Sequence, residues 1–255
     1  MTVALAVEWM KFRRSIVARL ATGLAVFAPP VFALGAVGMA RSATLDGPNA
    51  ERFAVYQEGT VNEAQMLAAA QILCVVMLIA SGFVASWMFG REYADRSIGS
   101  LYGLPVTLRI TAAAKLTIAV AWVVACVTAA GTLVVAGSVL TEPGGINAEV
   151  WRQVATLMAA AVLMGLLGLP FAWVAVVTRG YLGAVGAVIG ATAVSQILAS
   201  LGVGRWVPYV APALWAGAGG SEPALAISPV HLLWSLVAAA VGAAAAVRAT
   251  DRPLH

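Results

Sequence analysis

Charge is scarce in this chain. Only 10% of its 255 residues are Asp, Glu, Lys or Arg and 62% are hydrophobic, whereas roughly a quarter are charged in ordinary globular domains. A water-soluble domain of usual composition is thereby excluded. The two histidines, His231 and His255, supply no metal-ligand set. Cys74 and Cys126 both lie inside apolar runs, so neither is placed for an extracellular disulfide and both read as small core residues. Lys11 and Lys115 are the only lysines, and neither follows a glycine loop. Without a Gly-x-x-x-x-Gly-Lys-(Ser/Thr) run there is no P-loop to cradle ATP phosphates. An intramembrane serine protease requires a serine beside a histidine base, and Ser81 in Ala-Ser-Gly with His231 matches no such motif. No charge lies in the middle of an apolar run and no inverted repeat is visible, which weighs against an ion-coupled carrier.

What remains is a set of long uncharged windows, Leu20–Ala40, Ala64–Gly90, Leu116–Thr141, Gln153–Thr178, Gly180–Gly204 and Pro223–Val247. Each is long enough for a span of about 20 residues. The expected fold is an all-α integral membrane protein forming one transmembrane domain over residues 1–255, with spans near 20–40, 64–89, 116–140, 154–177, 181–201 and 230–247. With the N-terminus inside, the inner segments hold Lys11, Arg13, Arg14, Arg19, Arg91, Arg96, Arg109, Lys115, Arg179, Arg248 and Arg252, and the outer ones hold Arg41, Arg52, Arg152 and Arg205. Eleven cations against four is a positive-inside bias that places both termini in the cytoplasm. The net charge of +4 is therefore a topology signal, and nucleic acid is not an expected partner.

Residues 3–16 are amphipathic, with Leu5, Trp9, Phe12 and Ile16 on one face and Glu8, Lys11 and Arg14 elsewhere. They fit a helix in the inner interface, with Arg13 and Arg14 among the basic residues available to anionic lipid. A signal peptide is the competing reading, which an acidic Glu8 and the length of the apolar run disfavour. Pro29-Pro30 in the first span and Gly165, Gly168 and Pro170 in the fourth mark kinks. Gly204–Pro229 is too broken for a span and too apolar for a free loop. Trp206, Pro208, Tyr209, Pro212 and Trp215 suggest short re-entrant helices dipping into the outer leaflet, anchored by the aromatics.

Between the second and third spans stands Arg91–Lys115, with charges at Arg91, Glu92, Asp95, Arg96, Arg109 and Lys115. Arg91 with Asp95 and Glu92 with Arg96 have the spacing that closes pairs on one helical turn. Ser97 is placed to cap a short helix, Ile98–Leu104, whose Ile98, Leu101 and Tyr102 share one face and which Pro105 stops. A plain connector between spans is solvated throughout; an apolar face on a capped helix implies a partner.

The run E-Y-x-D-R-S-x-x-x-L-Y-x-L-P-V-x-x-R-x-x-x-x-x-K resembles the loop of bacterial ABC exporter permeases of the type-2 class, relatives of the bacitracin- and lantibiotic-export permeases of type V fold. It matches at Glu92, Leu101, Pro105, Arg109 and Lys115 and departs at Arg96-Ser97, where Gly-Thr is commoner, and at Thr107, which stands two places before the arginine. The resemblance implies a coupling helix contributed by Glu92, Asp95, Arg96, Ile98, Leu101, Tyr102, Leu104, Pro105, Arg109 and Lys115. It also implies two copies of a separate P-loop ATPase carrying ATP and Mg, a second permease copy or paralogue, and no catalysis or cofactor in this chain. The setting it implies is the bacterial plasma membrane, and the cargo an amphipathic drug, peptide or lipid. A secondary carrier or channel without an ATPase, and an intramembrane enzyme, are the alternatives.

Overall fold

The structure, a computed structural model, describes residues 1–42, 53–95, 107–218 and 221–250. In chain order its helices are α1 (Thr2–Arg14), α2 (Ile16–Ser42), α3 (Val61–Ala94), α4 (Leu108–Thr141), α5 (Ala148–Leu167), α6 (Phe171–Val177), α7 (Tyr181–Ser200), α8 (Ala211–Trp215), α9 (Ser221–Leu225) and α10 (Pro229–Ala249). There is no strand among the described residues. Six helical units are long and apolar enough to cross a membrane: α2, α3, α4, α5 with α6, α7 and α10.

The helix α3 is the hub, packed against α2, α4, α5, α6 and α7. Its sequence explains why: Ala64, Ala68, Ala69, Ala70, Ala80, Gly82, Ala85 and Gly90 are all buried small residues that let neighbouring backbones approach closely. Leu73, Met77, Val84 and Met88 fill the space between them. At the rim, α2, α7 and α10 expose large apolar side chains such as Phe27, Phe32, Ile189 and Leu233. Apolar faces of that kind are what a hydrocarbon surround accepts and water does not.

Local chemistry sets where the helices start and bend. A capping box between Thr60 and Glu63 opens α3, Thr107 Oγ1 accepts the Ile110 N–H at the start of α4, and Asn147 Oδ1 accepts the Val150 N–H at the start of α5. Thr107, the departure from the family pattern, thus serves as a helix cap. The expected break in the fourth span falls between α5 and α6, at 168–170. Pro170 has no N–H to continue the ladder, and Gly168 lies so close to Ser81 and Gly82 of α3 that no side chain fits there. In α2, by contrast, the helix runs on through Pro29 and Pro30, both buried.

Two polar layers close the bundle. At the end away from α1, here the distal end, Ser138 Oγ lies 2.8 Å from Asn62 Oδ1 and 2.7 Å from Gln65 Oε1, and Gln65 Nε2 donates to Thr141. Arg41 donates to the carbonyls of Tyr56, Glu58 and Gly59 nearby. The basal end, where α1 lies, carries charges.

Candidate functional site

The basal charges converge from three helices. Glu8 and Lys11 come from α1, Arg91 and Glu92 from the last turn of α3, and Lys115 from the third turn of α4. Lys115 Nζ sits 2.6 Å from Glu92 Oε2, Lys11 Nζ lies 2.6 Å from Glu8 Oε1 and 3.6 Å from Glu92 Oε1, and Arg91 reaches Glu8 Oε2 at 3.5 Å. Glu8 is 2% exposed and Lys115 3%, so the members at the centre of the cluster are out of water. Two aromatic rings complete it: the Arg91 guanidinium lies over Trp87 at 4.4 Å and Lys115 Nζ over Phe89 at 5.3 Å. A small cavity lined by Phe89, Glu92, Tyr93, Leu108, Thr111 and Lys115, among others, adjoins the pair.

This arrangement can do two things. Removing one partner of a buried pair leaves the other charge uncompensated, at roughly 3–5 kcal/mol, so the cluster is a strong positional lock. It also joins α1 to the two helices that flank residues 95–107. Among the described residues, no group of three His, Cys, Asp or Glu is arranged to hold a metal ion.

The sequence-derived residues fall unevenly on this picture. Glu92 and Lys115 form the core of the cluster, joined across the loop. Arg91 pairs with Glu8, and no ion pair joins it to Asp95, the exposed C-cap of α3. Arg109 is exposed in the first turn of α4. Arg96, Ile98, Leu101, Tyr102, Leu104 and Pro105, and with them the expected helix Ile98–Leu104, lie outside the described residues.

In α1 the buried side is Ala4, Glu8 and Phe12, with Leu5 partly buried beside it. Phe12 meets Trp122 of α4 edge-on at 6.3 Å, while Trp9 is 48% exposed. Arg13 and Arg14 are exposed. The side of α1 that packs on the bundle thus includes Glu8, whose carboxylate meets Lys11 and Arg91 there. The one acid among several cations near the N-terminus was the signal for it.

In the 204–229 segment, Trp206 is exposed with its ring edge against His231, Tyr209 lies 6.0 Å from Phe171, and the Pro208 carbonyl accepts a hydrogen bond from Ser235. Pro212 is buried in α8 and Trp215 is partly buried. His231 Nδ1 accepts the Ser228 N–H at 3.0 Å, capping α10, whereas Ser81 Oγ donates to the Leu78 carbonyl inside α3. These two residues are occupied separately and make no nucleophile–base pair.

A helical bundle with six candidate spans and lipid-type apolar faces defines a multi-pass membrane protein. Residues 4–195 match the family of ABC-2 family transporter proteins, and the chain belongs to that family. It is therefore a permease component of an ABC transporter. No curated protein matches the chain.

Proposed function

We propose that the chain is the membrane-spanning subunit of an ATP-driven exporter of the bacitracin- and lantibiotic-export type, working with two copies of a separate P-loop ATPase and a second permease copy or paralogue. ATP and Mg belong to the ATPase. The basal end faces the cytoplasm, as the eleven-to-four distribution of cations favours, and the setting is the bacterial plasma membrane. The cargo is amphipathic. The helix 98–104 docks on the ATPase, α1 lies in the inner interface, and 204–229 dips into the outer leaflet.

The observation that carries this reading is the ion-paired cluster on both sides of residues 95–107. A push on that loop, delivered as the ATPases close on ATP, reaches α3 through Glu92, α4 through Lys115 and α1 through Glu8 and Lys11. Rigidly joined helices convert a local push into the switch of a two-state element. Docking itself falls to the apolar residues, since burying a Leu or Tyr side chain contributes roughly 1.5–3 kcal/mol.

Co-purification tests the assignment. Leu101→Ala with Tyr102→Ala should lose the ATPase, while Glu92→Gln should keep it. Full ATPase retention by the double variant would remove the loop as the docking element.

A further inference from the structure

In the distal half, α3, α7 and the broken segment 202–218 surround a cleft of about 710 Å³, within the roughly 300–1,000 Å³ of sites that take small molecules. Most of its wall is apolar, with Val75, Leu78, Met164, Val210 and Leu214 among the lining residues. Into the same space come Ser195, Gln196 and Arg205. Among the described residues these three side chains have no hydrogen-bond or ion-pair partner. The Gln71 carbonyl is taken by the Tyr56 hydroxyl at 2.8 Å, which leaves its amide N–H groups available to the cleft.

The charge of the cleft follows from its surroundings. The other described cations at the distal end are satisfied: Arg41 by three backbone carbonyls and Arg152 by Glu149. Arg205 alone of them is unmatched, and no acidic residue lines the cleft among the described residues. Burial raises the pKa of Tyr209, so its phenol remains a neutral group on the wall. An apolar trough with one unmatched cation and unused amide and hydroxyl groups is complementary to a molecule with a hydrocarbon part and an anionic head.

We infer that this cleft binds an anionic amphiphile, its head at Arg205 and Gln196 and its chain along Leu78 and Met164. The placement of the cleft in the outer leaflet rests on the exporter reading above; binding itself does not need the ATPase. The same chemistry describes either the transported cargo or a resident lipid.

The test uses the full chain in neutral phosphatidylcholine nanodiscs, without the ATPase, in variants retaining a single tryptophan. Trp215 packs against the buried cluster that includes the cleft residues Leu78 and Met164, and Trp234 is an exposed control on α10. ω-Bromododecyl sulfate should quench Trp215 saturably, whereas ω-bromododecyltrimethylammonium should require about tenfold more, the difference expected for one charge-assisted hydrogen bond. Trp234 should be quenched by both without saturation. Arg205→Glu should reverse the preference, a gain for the cation that misfolding does not produce. Equal saturation by both probes, absence of saturation at Trp215, or an unchanged preference in Arg205→Glu overturns the inference. With saturable binding in hand, adding the ATPase and ATP separates the sources: release of the quench identifies cargo and its persistence a resident lipid, and both keep the site. Loss of ATPase binding would overturn the exporter reading and leave this binding result standing.

Discussion

Replacing Glu92 with glutamine probes the basal cluster where it is most tightly paired. The change keeps the side-chain shape and removes the charge that faces Lys115 at 2.6 Å and Lys11 at 3.6 Å. Lys115 is only 3% exposed, so its ammonium cannot recover full hydration. Breaking a buried pair costs roughly 3–5 kcal/mol, and the 11% exposure of the Glu92 side chain places the cost toward the lower end. At about 2–4 °C per kcal/mol for a chain of this size, the apparent Tm should fall by about 6–12 °C. Lys115→Met should cost less, because Glu92 keeps Lys11 as a counter-charge. The double variant should recover most of the loss of Glu92→Gln, since it also removes the ammonium that the single change leaves uncompensated. Thermal unfolding of the permease in nanodiscs, followed by monodispersity after heating, measures all three. Losses in the two single variants that simply add in the double would refute the coupling of these side chains.

Further outcomes follow from other contacts. A Cβ on Gly90 would stand 2.5 Å from Tyr181 N and 2.7 Å from Gly180 C, backbone atoms that cannot swing aside; Gly90→Ala should therefore lose about 1–3 kcal/mol, and an unchanged Tm would show that α3 does not pack on the 178–181 turn. His231→Ala removes a helix cap and should cost about 1 kcal/mol in a melting assay while leaving transport per assembled complex intact; selective loss of activity would instead favour an enzyme. Cysteines at Ser100 and Arg252 should label only from the cytoplasmic side of intact cells, and those at Asn49 and Gly144 only from outside. Outside labelling of Ser100 would invert the orientation.

The spans were legible because a bilayer demands long uncharged windows, and this sequence has six of them. Their ends were less so. The windows stop at charges, yet α3 continues to Ala94 and α4 begins at Leu108. Both helices continue because Glu92 and Lys115 neutralise each other across 23 residues, a pairing that helical spacing does not reveal. The burial of Glu8 in α1 was not visible either, since its second partner, Arg91, lies 83 residues away. The same distance effect hid the Asn62–Gln65–Ser138 layer, in which Ser138 lies 76 and 73 residues from Asn62 and Gln65. The Pro170 break was visible because proline acts locally. The cation–ring contacts of Trp87 with Arg91 and Phe89 with Lys115 were likewise not read from the sequence.

Transport per ATP hydrolysed is the direct test of the coupling role assigned to the basal cluster. In a reconstituted complex, Glu92→Gln with Lys115→Met should fold, bind the ATPase and hydrolyse ATP, because neither docking nor stability depends on the charges once both are removed. Without the lock between α3 and α4, the push on the loop dissipates, and cargo moved per ATP should fall several-fold. A double variant that transports as much cargo per ATP as the parent would contradict the account.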